Sequence, residues 1–332
     1  MKKSLVALAV LAASGAAMAQ SSVTAFGVID IAYANVQKTG TPTQNVLQNG
    51  AFQGSRWGFR GSEDLGGGLK ANFKLIGGMA MDTGAFSTGG VLFGREIGVG
   101  LSGGFGEVYL GRLETPFDNV TGEANALWDS TFFSPAELLF QSNKYTARPN
   151  NEIYYQSPTM SGFSTALSYA LGENATATVD AGSIASGNIA YGNGPLKLSA
   201  AYQVEKATGA ATSVKYTRVN AGYAIGAATL KAQYGKVDNI LAVSGANADE
   251  WALGVDYKVS GALTLSASVV TSSDNAAAGN AERKGWGVGA KYALSKRTFL
   301  YGAYESDTTR ESVVAAANVD SSKVVAGIQH RF

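Results

Sequence analysis

The chain of 332 residues has no cysteine, one histidine, and 26 Lys and Arg against 25 Asp and Glu. Without cysteine there is neither a disulfide framework nor a thiolate metal site, and so even a balance lacks the basic excess that marks a nucleic-acid partner. Glycine at 42 residues, with 15 Tyr and 14 Phe against 6 Pro and a mean hydropathy of +0.02, leaves a soluble globule and a membrane barrel both open.

Residues 1–19 read as an address. Lys2 and Lys3 make a basic start, Leu5 to Ala13 an apolar stretch, and Ala17-Met18-Ala19 supplies small residues at a cleavage site between Ala19 and Gln20. This is the pattern of a secretory signal peptide. Its apolar run falls short of the ~20 residues that span a bilayer, so it is not an anchor. Losing Lys2 and Lys3 takes the 26 basic residues to 24, and the exported part, residues 20–332, is read as a single domain.

About sixteen segments of alternating apolar and polar residues follow. They lie near residues 22–35, 54–63, 69–81, 92–103 and 106–114, then near 151–158, 163–172, 185–193, 196–206 and 214–225. The last six lie near 228–238, 249–259, 263–273, 282–294, 298–308 and 322–332. In one of them Trp251, Leu253, Val255, Tyr257 and Val259 alternate with Glu250, Ala252, Gly254, Asp256 and Lys258. In another, Trp286, Val288, Ala290 and Tyr292 alternate with Gly285, Gly287, Gly289 and Lys291. Strict alternation of this kind means strands with one apolar and one polar face.

Three features favour a membrane barrel over a soluble sandwich. The polar face is rich in Gly, Ser, Lys and Glu, which suits a wet interior. Aromatics recur near strand ends, as in the girdles of outer-membrane barrels. Strands of about ten residues can cross a bilayer at a tilt, whereas soluble strands run to ~5–6. Lipid also demands closure, because an open edge cannot satisfy its backbone groups there. The predicted fold is therefore all-β, an antiparallel transmembrane barrel of about sixteen strands, a size that leaves an aqueous lumen. Short glycine-rich turns such as Asp64–Gly68 and Gly192–Pro195 alternate with longer connections. From Thr115 to Asn150 no strand pattern appears, and so long an irregular stretch inside a compact domain marks a functional loop.

Several segments resemble the Gram-negative trimeric porins, particularly their β-proteobacterial branch. They are Ser22-Val23-Thr24-Ala25-Phe26-Gly27-Val28-Ile29-Asp30, Ser55-Arg56-Trp57-Gly58-Phe59-Arg60-Gly61-Ser62-Glu63-Asp64-Leu65-Gly66, Gly98-Val99-Gly100-Leu101, Gly106-Glu107-Val108-Tyr109-Leu110-Gly111-Arg112 and the ending Gly327-Ile328-Gln329-His330-Arg331-Phe332. The resemblance implies sixteen strands, a homotrimer, residence in the outer membrane among lipid and lipopolysaccharide, and general diffusion of ions and small hydrophilic solutes. It also implies a long third loop, here 115–150, folded into the lumen. Terminal Phe332 resembles the signal read by the barrel-assembly machinery, and it would serve equally as an interfacial anchor.

The resemblance places Arg56, Arg95 and Arg148 in a basic cluster at the constriction, with Arg60 beside it and Arg112 as a further candidate. Parity alone points Arg56 and Arg60 into the lumen but gives Arg95 the outward face of Phe93, Ile97 and Val99. Asp118, Glu123, Asp129 and Glu137 are the candidate loop acids. The family commonly has Pro-Glu-Phe where this chain has Pro135-Ala136-Glu137-Leu138-Leu139-Phe140, so which acid lines the opening is left open. Such a cluster implies a modest preference for anions. The lone His330 has outward parity and leaves no base for histidine-dependent chemistry, so neither enzyme activity nor a catalytic residue, metal or cofactor is expected. The alternative is a channel specific for a sugar or organic acid, which would require aromatics along the lumen.

Overall fold

The computed structural model describes residues 21–275, 280–311 and 318–332; the expected signal segment, with its expected cleavage between Ala19 and Gln20, lies outside these. Seventeen strand segments form one sheet that closes on itself. β1 (Ser22–Lys38) pairs antiparallel with β17 (Val319–Arg331) from Val28↔Arg331 to Lys38↔Ser321. Its other edge pairs with β2 (Thr41–Asn49) in one half and β3 (Arg56–Gly66) in the other, so β2 and β3 are a single barrel strand broken at residues 50–55. Counted so, the barrel has sixteen antiparallel strands, each hydrogen-bonded to its sequence neighbours.

Burial along the strands is inverted relative to a soluble protein. On β13 (Asn247–Lys258), Glu250 is 0% exposed and Trp251 beside it is 57% exposed. Leu253, Trp286, Val288 and Leu230 are likewise exposed, while Gln203, Arg218, Gln233 and Glu305 are buried. Only a solvent that is apolar on the outside makes this arrangement stable, since exposing such a belt to water would forfeit about 25 cal/mol per Å².

The break in the second strand has a specific cause. Asp30, wholly buried on β1, accepts hydrogen bonds from the Phe52 N–H (3.1 Å), Tyr301 Oη (2.8 Å) and Gln329 Nε2 (3.0 Å). Ser55 Oγ accepts from the Asp30 N–H and donates to its carbonyl, both at 3.0 Å. The segment between β2 and β3 is thereby drawn inward, carrying Phe52 with it. At the chain end, Phe332 exchanges two 3.1 Å backbone hydrogen bonds with Gly27. A Cβ on Gly27 would stand 2.2 Å from the Phe332 ring, so only glycine lets the final aromatic lie flat across the seam.

Candidate functional site

The connection between β6 (Gly106–Arg112) and β7 (Glu152–Gln156) is folded rather than structureless. Helix α1 (Pro116–Thr121) starts where Thr115 Oγ1 accepts from the Asp118 N–H and Pro116 fixes the first turn; α2 (Pro135–Leu139) likewise begins on proline. Wall side chains satisfy the loop's backbone at one strand after another. Asn188 donates to the Pro116 carbonyl (2.6 Å), Asn220 to that of Val120 (2.6 Å), Gln233 to that of Thr121 (2.7 Å) and Lys231 to that of Asn125 (2.8 Å). The Leu127 N–H donates to Ser266 Oγ at 2.7 Å, and Ser130 Oγ to the Ala51 carbonyl at 2.6 Å.

Glu250 is the strongest of these ties. Its carboxylate accepts from the Gln141 N–H, from the N–H and hydroxyl of Ser142 (3.0 and 2.6 Å), and from Ser272 Oγ (3.0 Å). Arg218, fully buried over the Phe140 ring, donates to Ser142 Oγ and Asn143 Oδ1, both at 2.6 Å. The middle of the inner face of β15 (Ala281–Ala293) is Gly285, Gly287 and Gly289, and the loop rests directly on it. Side chains there would collide with Leu139, with Leu127 and Pro135, and with Leu127 and Trp128 respectively. The loop buries Phe117, Leu127, Phe133 and Phe140 against several stretches of the barrel wall, worth roughly 1.5–3 kcal/mol each relative to exposure.

The opposite wall holds the arginines. Arg56 and Arg60 on β3 line a polar cleft of about 540 Å³ together with Arg95, Lys74, Glu96 and Glu114. Arg95 precedes β5 (Glu96–Gly103), so strand parity does not govern it. Its guanidinium lies 4.0 Å from Glu114, which also pairs with Arg148. Arg148 reaches Asp118 at 3.5 Å, and Tyr145 donates to the other oxygen of that carboxylate. Burial first, then Arg148 and Arg56, pull Arg95 down to about 10, which leaves it charged at neutral pH. Burial raises Glu114, but Arg148, Arg95 and Arg56 together outweigh it and hold the carboxyl below its usual range. Asp118 is pushed up to about 6, by burial and then by Glu114, against the pull of Arg148.

The remaining candidates lie elsewhere. Arg112 donates to the Gly94 carbonyl (2.8 Å) and to Asn150 Oδ1 (2.7 Å), joining the bases of two loops. Asn125 Nδ2 bridges Asp129 (2.8 Å) and Glu137 (3.1 Å) on the loop's far side. Burial and the neighbouring Asp129 carboxylate push Glu137 well above the usual carboxylate range. Glu123 is exposed.

A family model described as Gram-negative porin matches residues 4–312. The chain belongs to the Gram-negative porins. It is 38% identical over 316 residues to outer membrane porin protein 32 of Delftia acidovorans, covering 91% of this chain and 88% of that protein. An outer membrane porin of Bordetella pertussis is 29% identical with both chains fully covered. The solved structure of an anion-selective porin from Comamonas acidovorans has a TM-score of 0.80 at 30% identity, over 94% of this chain and 100% of that one. The porin is thus an outer-membrane protein of the β-proteobacterial branch.

Sequence reasoning missed three parts of this porin's site. Glu114, one residue before the irregular stretch begins, is the acid nearest the arginines. In the sequence Glu250 reads only as one of the polar-face residues, Arg218 is not singled out, and the glycines of β15 read as generic wet-face residues. The run of three inward glycines on one strand was the available signal.

Proposed function

We propose that this porin is a homotrimeric general-diffusion channel for ions and small hydrophilic solutes, without enzyme activity, and that it modestly favours anions. A segment tied to β6 and β7, yet bonded to polar-face side chains from β9 (Ser183–Asn193) to β14 (Leu263–Asp274), must cross the lumen. It leaves a passage on the side of the arginine cleft, and that cleft is the constriction. Selectivity there is a matter of which charges stand at the narrowest point.

The observation that carries the reading is the convergence of Arg56, Arg95 and Arg148 on one ionised acid, Glu114, with Asp118 only partly ionised near pH 6. Three guanidiniums outnumber the carboxylates they face, so the local field is positive although the whole chain is nearly neutral. The relative solved as an anion-selective porin supports the same sign. Most lumen-side rings, including Phe117, Phe133 and Phe140, are buried as loop anchors rather than laid out as a track, which disfavours a sugar-specific channel.

The test is the reversal potential of purified trimers in a KCl gradient. The wild type is expected on the chloride side of zero, and Arg56→Glu with Arg95→Glu is expected to move it toward or past zero. A wild type that favours K⁺, or a double variant with unchanged selectivity, would remove the arginine cluster from the mechanism.

A further inference from the structure

Besides the arginine cleft, one lysine of the lumen wall is held in an unusual way. Three inward-facing lysines of the wall are paired with a carboxylate: Lys74 with Glu96 at 3.3 Å, Lys231 with Asp256 at 2.7 Å and Lys323 with Glu305 at 2.9 Å. Lys291 forms no ion pair among the described residues. Its ammonium instead lies 5.8, 5.4 and 5.6 Å from the ring centroids of Phe52, Trp128 and Phe299. A cation held on ring faces is attracted by their quadrupoles, and the carboxylate that acts on it, Asp256, is already paired with Lys231.

That arrangement is maintained against strain. Leu127, Trp128 and Asp129 have φ values of 55°, 57° and 60°, three consecutive non-glycine residues in the left-handed region, which the surrounding packing has to hold in place. The turn sets the Trp128 ring against Phe52 (centroids 5.4 Å apart, 22° between planes), where it forms one wall of the lysine's cage. Phe52 is in place because Asp30 draws the break between β2 and β3 inward.

Arg331, on the inward face of β17 and exposed, is the second member. Its Nε donates to Gln329 Oε1 at 3.0 Å and its fork reaches Gln53 Oε1 at 3.5 Å; it too forms no ion pair among the described residues. Its electrostatic neighbours include both Arg56 and Lys291. Arg331 and Arg56 flank Val28 in one register row across β17, β1 and β3. Arg56, Arg331 and Lys291 therefore form an arc of cations running from the cleft along the wall beneath the loop tip; the carboxylates acting on it include Glu114, shared with Arg95 and Arg148, and Asp256, already paired with Lys231.

We propose that Lys291 and Arg331 form a second anion station, on the short-turn (periplasmic) side of the loop, which receives small oxyanions from the arginine cleft. An ammonium point charge beside a guanidinium fork suits small, multiply charged oxyanions such as phosphate and dicarboxylates. The station rests on the reading of the cleft as an anion-favouring constriction. Two stations in series let an entering anion displace the one ahead of it, so that attraction does not become trapping.

The experiment measures block of chloride current by inorganic phosphate added to one side of trimers inserted in one orientation. Wild-type channels are expected to show stronger block from the periplasmic side. In Lys291→Gln with Arg331→Gln, the half-blocking concentration on that side should rise about tenfold, the loss of a charge-assisted contact, while block from the other side changes little. Arg331→Gln alone alters only an exposed side chain and should give part of the effect; Lys291→Arg should retain block. Heat-modifiable trimers verify assembly of each variant. Block of equal strength from both sides of the wild type, or an unchanged half-blocking concentration in assembled double variant, would overturn the station. The reversal potential separates the two readings: a double variant still on the chloride side, with its sided block lost, keeps the cleft and confirms the station.

Discussion

Two stretches of the barrel's inner wall share the same alternation and have opposite fates. Around β3 to β5 the inward residues are charged and wet, with Arg56, Arg60, Lys74 and Glu96 facing the cleft. At mid-height on β13 to β15 they are mainly glycines, serines and one buried glutamate, and these lie dry beneath the loop. The difference teaches that inward parity specifies a direction and not a solvent. A polar inner face becomes either the channel or the seat of whatever narrows it, according to whether its side chains leave room for another layer of chain.

The largest effect is expected on the dry side. Glu250→Leu removes the acceptor of four donors and leaves Arg218 buried without its main counter-charge, a loss of about 3–5 kcal/mol by analogy with broken buried ion pairs. The loop should detach at Gln141–Ser142. Single-channel recording would show larger, noisier conductance, and protease added to the intact, folded barrel would cut between 115 and 150. A quiet channel of wild-type conductance would mean that apolar packing alone seats the loop.

A smaller perturbation sharpens the point about room. Gly287→Leu places a side chain where even a Cβ would lie 2.6 Å from Leu127 and 3.3 Å from Pro135, an overpacking cost of about 1–3 kcal/mol. The loop should shift toward the arginine cleft and lower conductance without reversing selectivity. The outward neighbour offers the control: Val288→Leu faces lipid and should leave conductance as it is.

The smallest effect belongs to the wet side and depends on pH. Asp118 is pushed up to about 6, so acidification from 7.5 to 5 protonates it and deletes one negative charge beside Arg148. The sign follows directly: the local field becomes more positive, and the reversal potential should move further to the chloride side as pH falls through 6. Asp118→Asn should show the acid behaviour already at pH 7.5 and flatten the profile. A slope that survives this substitution would assign the titration to another carboxylate.

The sequence by itself determined the barrel. Its alternation is strictly local, because successive side chains on a strand must point to opposite faces, and glycine-rich turns mark where the chain reverses. It thereby also determined that Arg56 and Arg60 face inward, and the gap in the pattern exposed the loop. What decided the rest was contact between residues far apart in the chain. Arg95 precedes its strand, so its direction is set by Glu114 and Arg148 and not by parity. The second strand breaks at residues 50–55 because Asp30, Tyr301 and Gln329 hold that segment from two other strands. Gly285, Gly287 and Gly289 acquire their role only when Leu127, Pro135 and Leu139 lie on them. Periodicity records which way a side chain points, while charge pairing and close packing depend on what the fold brings opposite it, and only the tertiary structure supplies that.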